Sequence, residues 1–411
     1  MNYTISHPTR VIKGEIELPT SKSISNRVLI IQQLCQEKFH INKISKSNDT
    51  EVLKAILEGD LKKEINIQDA GTAMRFLTAF LSIGDRTVQI GGVEQMNKRP
   101  IGALVDALKK LGAEINYLDK LGFPPLEING KKIEGGEIEI DASISSQFIS
   151  ALLLIAPVLS NGLRLHMNNI IVSKPYIKMT LELMRYFGIE YTWKKNTINI
   201  KSQKYIAKDI TIEQDWSSIG FWCEIGTLAK ETDVIFKGLT SKSIQGDRNG
   251  VKLFKSIYFK KFNNQIHIKK HKTVNRYNTI NNEIDCNSFP DIAIPLIITK
   301  SFTKKKSIFS GLKTLVFKET NRIHALKNEM EKYGVKVKAT NNTILIDSSN
   351  LKDPNEDFFG YNDHRIIMSI AGLALIYRKI TIQGVEAVNK SYPDFWKDLK
   401  KVGFIVSPIT H

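Results

Sequence analysis

Apolar residues are not spread evenly along this chain: six times, a short cluster of small, polar or charged residues runs straight into a compact apolar stretch. The clusters are Ser21-Lys22-Ser23-Ile24-Ser25-Asn26-Arg27, Asp69-Ala70-Gly71-Thr72-Ala73-Met74-Arg75, Ser145-Ser146-Gln147, Asp215-Trp216-Ser217-Ser218, Pro290-Asp291 and Asn362-Asp363-His364-Arg365. They recur at intervals of roughly 50 to 75 residues, which points to repeated supersecondary units. Behind each apolar helix a second, amphipathic helix is expected. Four of these share an ending: apolar residues at helical spacing, then a glycine (Gly112, Gly188, Gly334, Gly403), then an alternating strand. The glycine suits a left-handed helix cap. The other two, near residues 50–57 and 248–257, fit the pattern more loosely. The chain therefore reads as six units in two lobes of three, dividing near residues 211–215. A strand at residues 11–18 precedes the first unit and fits either lobe, and residues 259–282 are the least readable stretch.

A helix start made of Ser, Thr, Asp or Gly leaves backbone N–H groups free at the positive end of the helix dipole. Such an end binds anions. Several of the six also carry Lys or Arg, so the pattern fits a small, multiply anionic ligand. The 411 residues and 42% apolar content suit two domains with sizeable cores. The longest strongly apolar run, residues 149–159, falls short of the roughly 20 residues a membrane helix needs. The first residues read as neither signal peptide nor transit sequence, so a cytoplasmic protein with no membrane partner is expected. Cys35, Cys223 and Cys286 are widely separated, without CxxC spacing, and support neither a disulfide framework nor a zinc site. The net charge is 59 − 42 = +17, which invites a nucleic-acid partner. Lysine is abundant throughout, however, and is not interleaved with aromatics as a base-stacking platform requires. A solvated basic surface is the better reading.

Among the charged candidates, Ser23 and Arg27 share a helix face four residues apart. Taken alone they describe a capped helix with a solvated charge. In the second cluster Gly71 lets a backbone approach a ligand and Thr72 is a possible cap. Arg75 leads into an apolar run, where an arginine needs an anionic partner because burying it unpaired is costly. Lys318-Glu319-Thr320-Asn321-Arg322 and the His364 cluster place acids beside bases, which at a surface is usually a local ion-pair group.

The whole set, in order, resembles the 5-enolpyruvylshikimate-3-phosphate synthase family of enolpyruvyl transferases. The matching stretches run nearly end to end. They are Leu18-Pro-Thr-Ser-Lys-Ser-Ile-Ser-Asn-Arg27, Ala70-Gly-Thr-Ala-Met-Arg75, Arg99-Pro-Ile-Gly102, Ser145-Ser-Gln147, Ser173-Lys-Pro-Tyr176, Gln245-Gly-Asp247, Pro290-Asp291, Lys318-Glu-Thr320 with Arg322, Tyr361-Asn-Asp-His-Arg365, and Lys390 with Pro393-Asp394. The resemblance implies an α/β fold of two lobes, each of three repeated βαβαββ units (an inside-out α/β barrel), with the active site in the cleft between lobes. Residues 1–19 and 214–411 would form one discontinuous lobe, and 20–213 the other. The implied reaction transfers the carboxyvinyl group of phosphoenolpyruvate to the 5-hydroxyl of shikimate 3-phosphate.

By the same resemblance, Lys22, Ser145, Ser146 and Ser173 would hold the shikimate phosphate. Ser23 and Arg27 would take its carboxylate region, Gln147 and Tyr176 its ring, and Asp291 and Lys318 its hydroxyls. Gly71, Arg99, Arg322, Arg365 and Lys390, with Lys22 and Gln147, would grip phosphoenolpyruvate. Asp291, Glu319 and Lys22 are the candidates for proton transfer. No metal or organic cofactor is implied, and a monomer is expected. The chain departs from the family pattern at Asp69, Phe76, Asn321 and Thr314, and the first two put the response to glyphosate in doubt. The sister transferase acting on UDP-N-acetylglucosamine normally carries a cysteine-containing mobile loop in its N-terminal lobe, and this chain has no cysteine between Cys35 and Cys223. A nucleic-acid module or RNA 3′-phosphate cyclase-like protein is the other alternative, and the convergent arginine and carboxylate set argues against it.

Overall fold

The computed structural model describes residues 1–59, 62–262, 265–271, 283–303 and 305–409, so residues 263–264 and 272–282 of the least readable stretch lie outside it. The described residues divide into two compact units, one continuous (Thr20–Ile212) and one discontinuous (Met1–Pro19 with Glu213–His411). Each has its own apolar core.

Three buried helices occupy the middle of the continuous unit: α1 (Lys22–Leu34), α2 (Gly71–Ser82) and α3 (Ser146–Ile155). The discontinuous unit has α4 (Trp216–Leu228), α5 (Pro290–Lys300) and α6 (His364–Ala371). Within each unit the three pack on one another. They are the six apolar runs of the sequence, and most of their residues, polar ones included, are buried. Four begin on side-chain caps, in which Ser21, Ser145, Asp215 and Asp363 accept from a backbone N–H two or three residues on. Gly220 lets α4 approach α5 closely: a Cβ there would lie 2.7 Å from Ile292 Cδ1.

The sheets repeat one pattern. Strand Glu64–Asn66 runs parallel to Thr87–Gly91, which pairs antiparallel with Leu126–Asn129, which pairs antiparallel with Glu114–Tyr117. The same order recurs in four other four-stranded sheets, and the parallel pair Ile41–Asn42 with Ile210–Thr211 stands as a reduced sixth. A parallel pair needs a crossover connection. Four of the buried helices provide it within their own repeat, as α2 does between the first two strands named. The amphipathic helices then end on Gly112, Gly188, Gly334 and Gly403, all at positive φ between 85° and 102°.

Two expectations need correction. The N-terminal segment forms two strands, Asn2–Ser6 and Val11–Ile16. The first gives little sign of itself because only Ile5 in it is fully buried. Near 248–257 there is no full amphipathic helix, only the turns Asp247–Gly250 and Val251–Leu253. Gly250 has Phe289 against it, and Gly246 lies just ahead, so little there favours helix propagation. No helix among the described residues is long and apolar enough to cross a membrane.

Candidate functional site

In the continuous unit the candidates gather at the starts of the buried helices. Arg27, one turn into α1, is 3% exposed. Its Nε donates to Thr180 Oγ1 (2.7 Å), Nη2 to Ser150 Oγ (3.1 Å) and Nη1 to the Ser23 carbonyl (2.7 Å). Its partners are all neutral. Burial lowers its pKa to about 10, with the Tyr176 phenol working the other way, so Ser23, Arg27 and Tyr176 share one neighbourhood. Lys22 donates to Asp49 Oδ2 at 3.3 Å.

Around α2 the geometry turns on Gly71. A Cβ there would lie 2.3 Å from Arg99 Nη1, so the Arg99 guanidinium can rest only against a glycine. Arg75 donates to the Gly71 carbonyl (3.1 Å) and, from Nη2, to the Pro100 carbonyl (2.8 Å), bracing the segment that carries Arg99. Thr72 does not cap the helix, whose N-cap position is Ala70 with no side-chain bond. Instead Thr72 Oγ1 accepts from Gln147 Nε2 at 3.2 Å, joining the starts of α2 and α3. Ser145 Oγ accepts from the Gln147 amide, which leaves its hydroxyl proton to donate. Ser146 is buried at the first residue of α3. Ser173 heads the helix Lys174–Tyr186 at φ 52°, a left-handed conformation uncommon for serine.

The discontinuous unit holds a different assembly. Arg322, 1% exposed, donates through Nε to Asp363 Oδ2 (2.7 Å), and through Nη2 to Asp363 Oδ1 (3.1 Å) and Glu319 Oε2 (2.6 Å). Its Nη1 lies 3.8 Å from Asp291 Oδ1. Arg365 donates to Asp291 Oδ2 (2.8 Å), the Asp291 carbonyl (3.1 Å) and Ser217 Oγ (3.2 Å). Asp363 also caps α6 by accepting from the Arg365 amide (2.9 Å). Burial alone would lower the Arg322 pKa, but the Asp363 and Glu319 carboxylates prevail and raise it. Two guanidinium groups thus fix three carboxylates in one cluster. Lys390 is buried at the end of the turn Val385–Lys390, and Lys318 is half-buried next to Glu319.

Several partners escaped the sequence reading: Asp49 beside Lys22, Ser150 and Thr180 on Arg27, and Asp363 as the clamp of the Arg322 guanidinium. Among the departures, Asn321 caps the helix Arg322–Glu331 by accepting from the His324 amide. Thr314 is buried. Phe76 lies beneath Arg27, whose guanidinium carbon is 5.3 Å from the ring centroid. Burial pushes the Cys35 thiol up to about 11 and Cys286 to about 12, in line with inert cysteines. Among the described residues, no group of three or more His, Cys, Asp or Glu is placed to hold a metal ion.

The family model for EPSP synthase (3-phosphoshikimate 1-carboxyvinyltransferase) matches residues 54–399. A 3-phosphoshikimate 1-carboxyvinyltransferase of Bacteroides fragilis is 41% identical over 411 residues, covering 98% of each chain. The chain belongs to the EPSP synthase family. A relative of the same name from Buchnera aphidicola is 36% identical over 433 residues, covering 96% of each chain. The solved EPSP synthase of Acinetobacter baumannii superposes with a TM-score of 0.75 at 20% identity, over 99% of this chain and 100% of that one, and bears on the fold alone. With family and fold in place, the α/β architecture of repeated units implied by the sequence motifs holds.

Proposed function

We infer that the protein transfers the carboxyvinyl group of phosphoenolpyruvate to the 5-hydroxyl of shikimate 3-phosphate, releasing phosphate and forming 5-enolpyruvylshikimate 3-phosphate on the route to aromatic amino acids. The observation that carries this reading is the cluster in which Arg322 and Arg365 fix Asp291 and Glu319. Addition across the double bond of the enol phosphate removes a proton from the 5-hydroxyl and adds one at C3. Elimination of phosphate from the tetrahedral intermediate takes the C3 proton back. Two carboxylates held by guanidinium groups suit that traffic, with Glu319 assigned to C3, Asp291 to the hydroxyl and Lys22 as an alternative acid. The guanidinium forks also suit carboxylate and phosphate, which each accept two parallel bonds.

In the continuous unit, Lys22, Ser145, Ser146 and Ser173 are assigned to the shikimate phosphate, Ser23 and Arg27 to the carboxylate, and Gln147 and Tyr176 to the ring. Gly71 and Arg99 are assigned to phosphoenolpyruvate, together with Arg322, Arg365 and Lys390. The charge stabilisation comes from these fixed cations and donors. The remaining assignments are lobes of 1–19 with 214–411 and of 20–213, a cytoplasmic location and a monomer. The test is phosphate release from phosphoenolpyruvate by the purified protein, with and without shikimate 3-phosphate. Release that depends on shikimate 3-phosphate is expected, and folded protein that releases none would overturn the reading.

A further inference from the structure

A cavity of about 190 Å³ lies within the discontinuous unit, at the opposite ends of two helices that border the carboxylate cluster. Helix α4 starts beside Ser217 and ends at Thr227 and Leu228 on the cavity wall; α5 starts beside Asp291 and ends there at Leu296, Thr299 and Lys300. At 1.5 Å per residue, the cavity is about 15–18 Å along these helices from the carboxylate cluster.

One side of the wall is apolar, formed by Leu253, Phe254, Leu296, Phe302 and Ile376, with Phe302 backed by a stacked Tyr333 at 5.4 Å. Its polar side is cationic: Arg10, Lys255 and Lys300 line it, and no Asp or Glu does among the described residues. None of the three cations has an acidic partner within ion-pair distance among the described residues. Lys300 is half-buried, and burial together with Lys255 and Lys305 pushes its ammonium below its ordinary pKa. The threonines cannot donate inward. Thr227 Oγ1 donates to the Cys223 carbonyl (2.7 Å), Thr299 to Pro295 (2.7 Å) and Thr303 to Lys300 (2.8 Å). Donation to a ligand therefore falls to the cations and the Ser256 hydroxyl.

We propose that this cavity is a second, remote binding site for a small aromatic carboxylate, its ring against Phe254 and Phe302 and its carboxylate between Lys300, Lys255 and Arg10. The volume matches a single ring, since an apolar protein cavity of about 150 Å³ accepts benzene. A bound carboxylate relieves the repulsion among the lysines, and a charge-assisted bond to a partly desolvated ammonium is the strongest contact on offer.

The test is a ligand-observed NMR titration of the full chain with benzoate, with saturating shikimate 3-phosphate present to fill the site assigned above. Benzoate is expected to bind under these conditions, and the double variant Lys255→Gln/Lys300→Gln to weaken it about tenfold or more while melting temperature and turnover stay unchanged. The exposed Arg10→Gln serves as a second, milder variant with the same direction of effect. Neutral benzyl alcohol should bind at least about tenfold more weakly than benzoate. No benzoate binding, displacement by shikimate 3-phosphate, undiminished affinity in the double variant, or equal affinity for benzyl alcohol would each overturn the proposal.

Discussion

Arg27 in the continuous unit and Arg322 in the discontinuous unit are both almost wholly enclosed, yet they are held in opposite ways. Hydroxyls and one carbonyl surround Arg27, with the Phe76 ring below it, and burial pulls its pKa down. Three carboxylates surround Arg322 and push its pKa up. Neutral partners satisfy the donors of a guanidinium but leave its net charge for an arriving anion. Carboxylate partners cancel the charge, and the guanidinium then works as a brace that orients them. The continuous unit thus leaves the charge of Arg27 uncancelled, whereas the discontinuous unit holds acids in fixed positions beside Arg322 and Arg365.

The largest effect that would break this contrast is expected at Glu319. Glu319→Gln should reduce turnover by about 10²- to 10⁴-fold, the usual span for a general acid or base, while leaving shikimate 3-phosphate affinity nearly intact. Calorimetry together with single-turnover kinetics reads both, and normal turnover would remove Glu319 from proton transfer. Next comes Asp363→Asn, which leaves Arg322 short of a buried counter-charge. A loss of about 3–5 kcal/mol in unfolding free energy is expected in urea melts. The matched change on the other side is Thr180→Val, which strands the Arg27 Nε at a neutral partner and should cost about 1–3 kcal/mol. Equal losses from the two variants would erase the distinction between the units.

A further effect, set by pH, concerns Glu224, wholly buried in α4, where burial raises its carboxyl well above the ordinary 4.5. Below pH 4.5 the folded and unfolded chains both hold this proton, and no penalty arises. As pH rises above that value the unfolded chain releases it first, so stability falls by up to about 1.4 kcal/mol per pH unit until the folded pKa is reached. Glu224→Gln should flatten that decline, and melts recorded across pH would show it. A parallel shift at every pH would mean that the proton is not involved.

What the sequence made legible was local. A cap followed by an apolar run is written in consecutive residues, and so are the glycines that end the amphipathic helices. The partners of the charged residues are written nowhere nearby: Asp49 is 27 positions from Lys22, and Thr180 and Ser150 are 153 and 123 from Arg27. Asp49 looks like an ordinary acid in the first turn of a helix, and nothing in its neighbours signals the lysine. Phe76 stands out in the sequence as a departure from the family pattern, but nothing near it in the chain signals that its ring lies under Arg27. Arg75 was expected to need an anion, and backbone carbonyls meet part of that need.

The strand Asn2–Ser6 lies between Ile380–Gln383 and Ile405–Pro408, so the first residues of the chain pair with nearly the last. This imposes an order on synthesis. The continuous unit has all its residues once position 212 has left the ribosome and is free to condense then, as domains completed early commonly do. The opening strand has no partner until almost the whole chain has been made, so this sheet pays the loop-closure entropy of its longest contacts last. Until then its unpaired edges are exposed to other chains, and a truncation of even the final strand would leave one side of the N-terminal strand open for good.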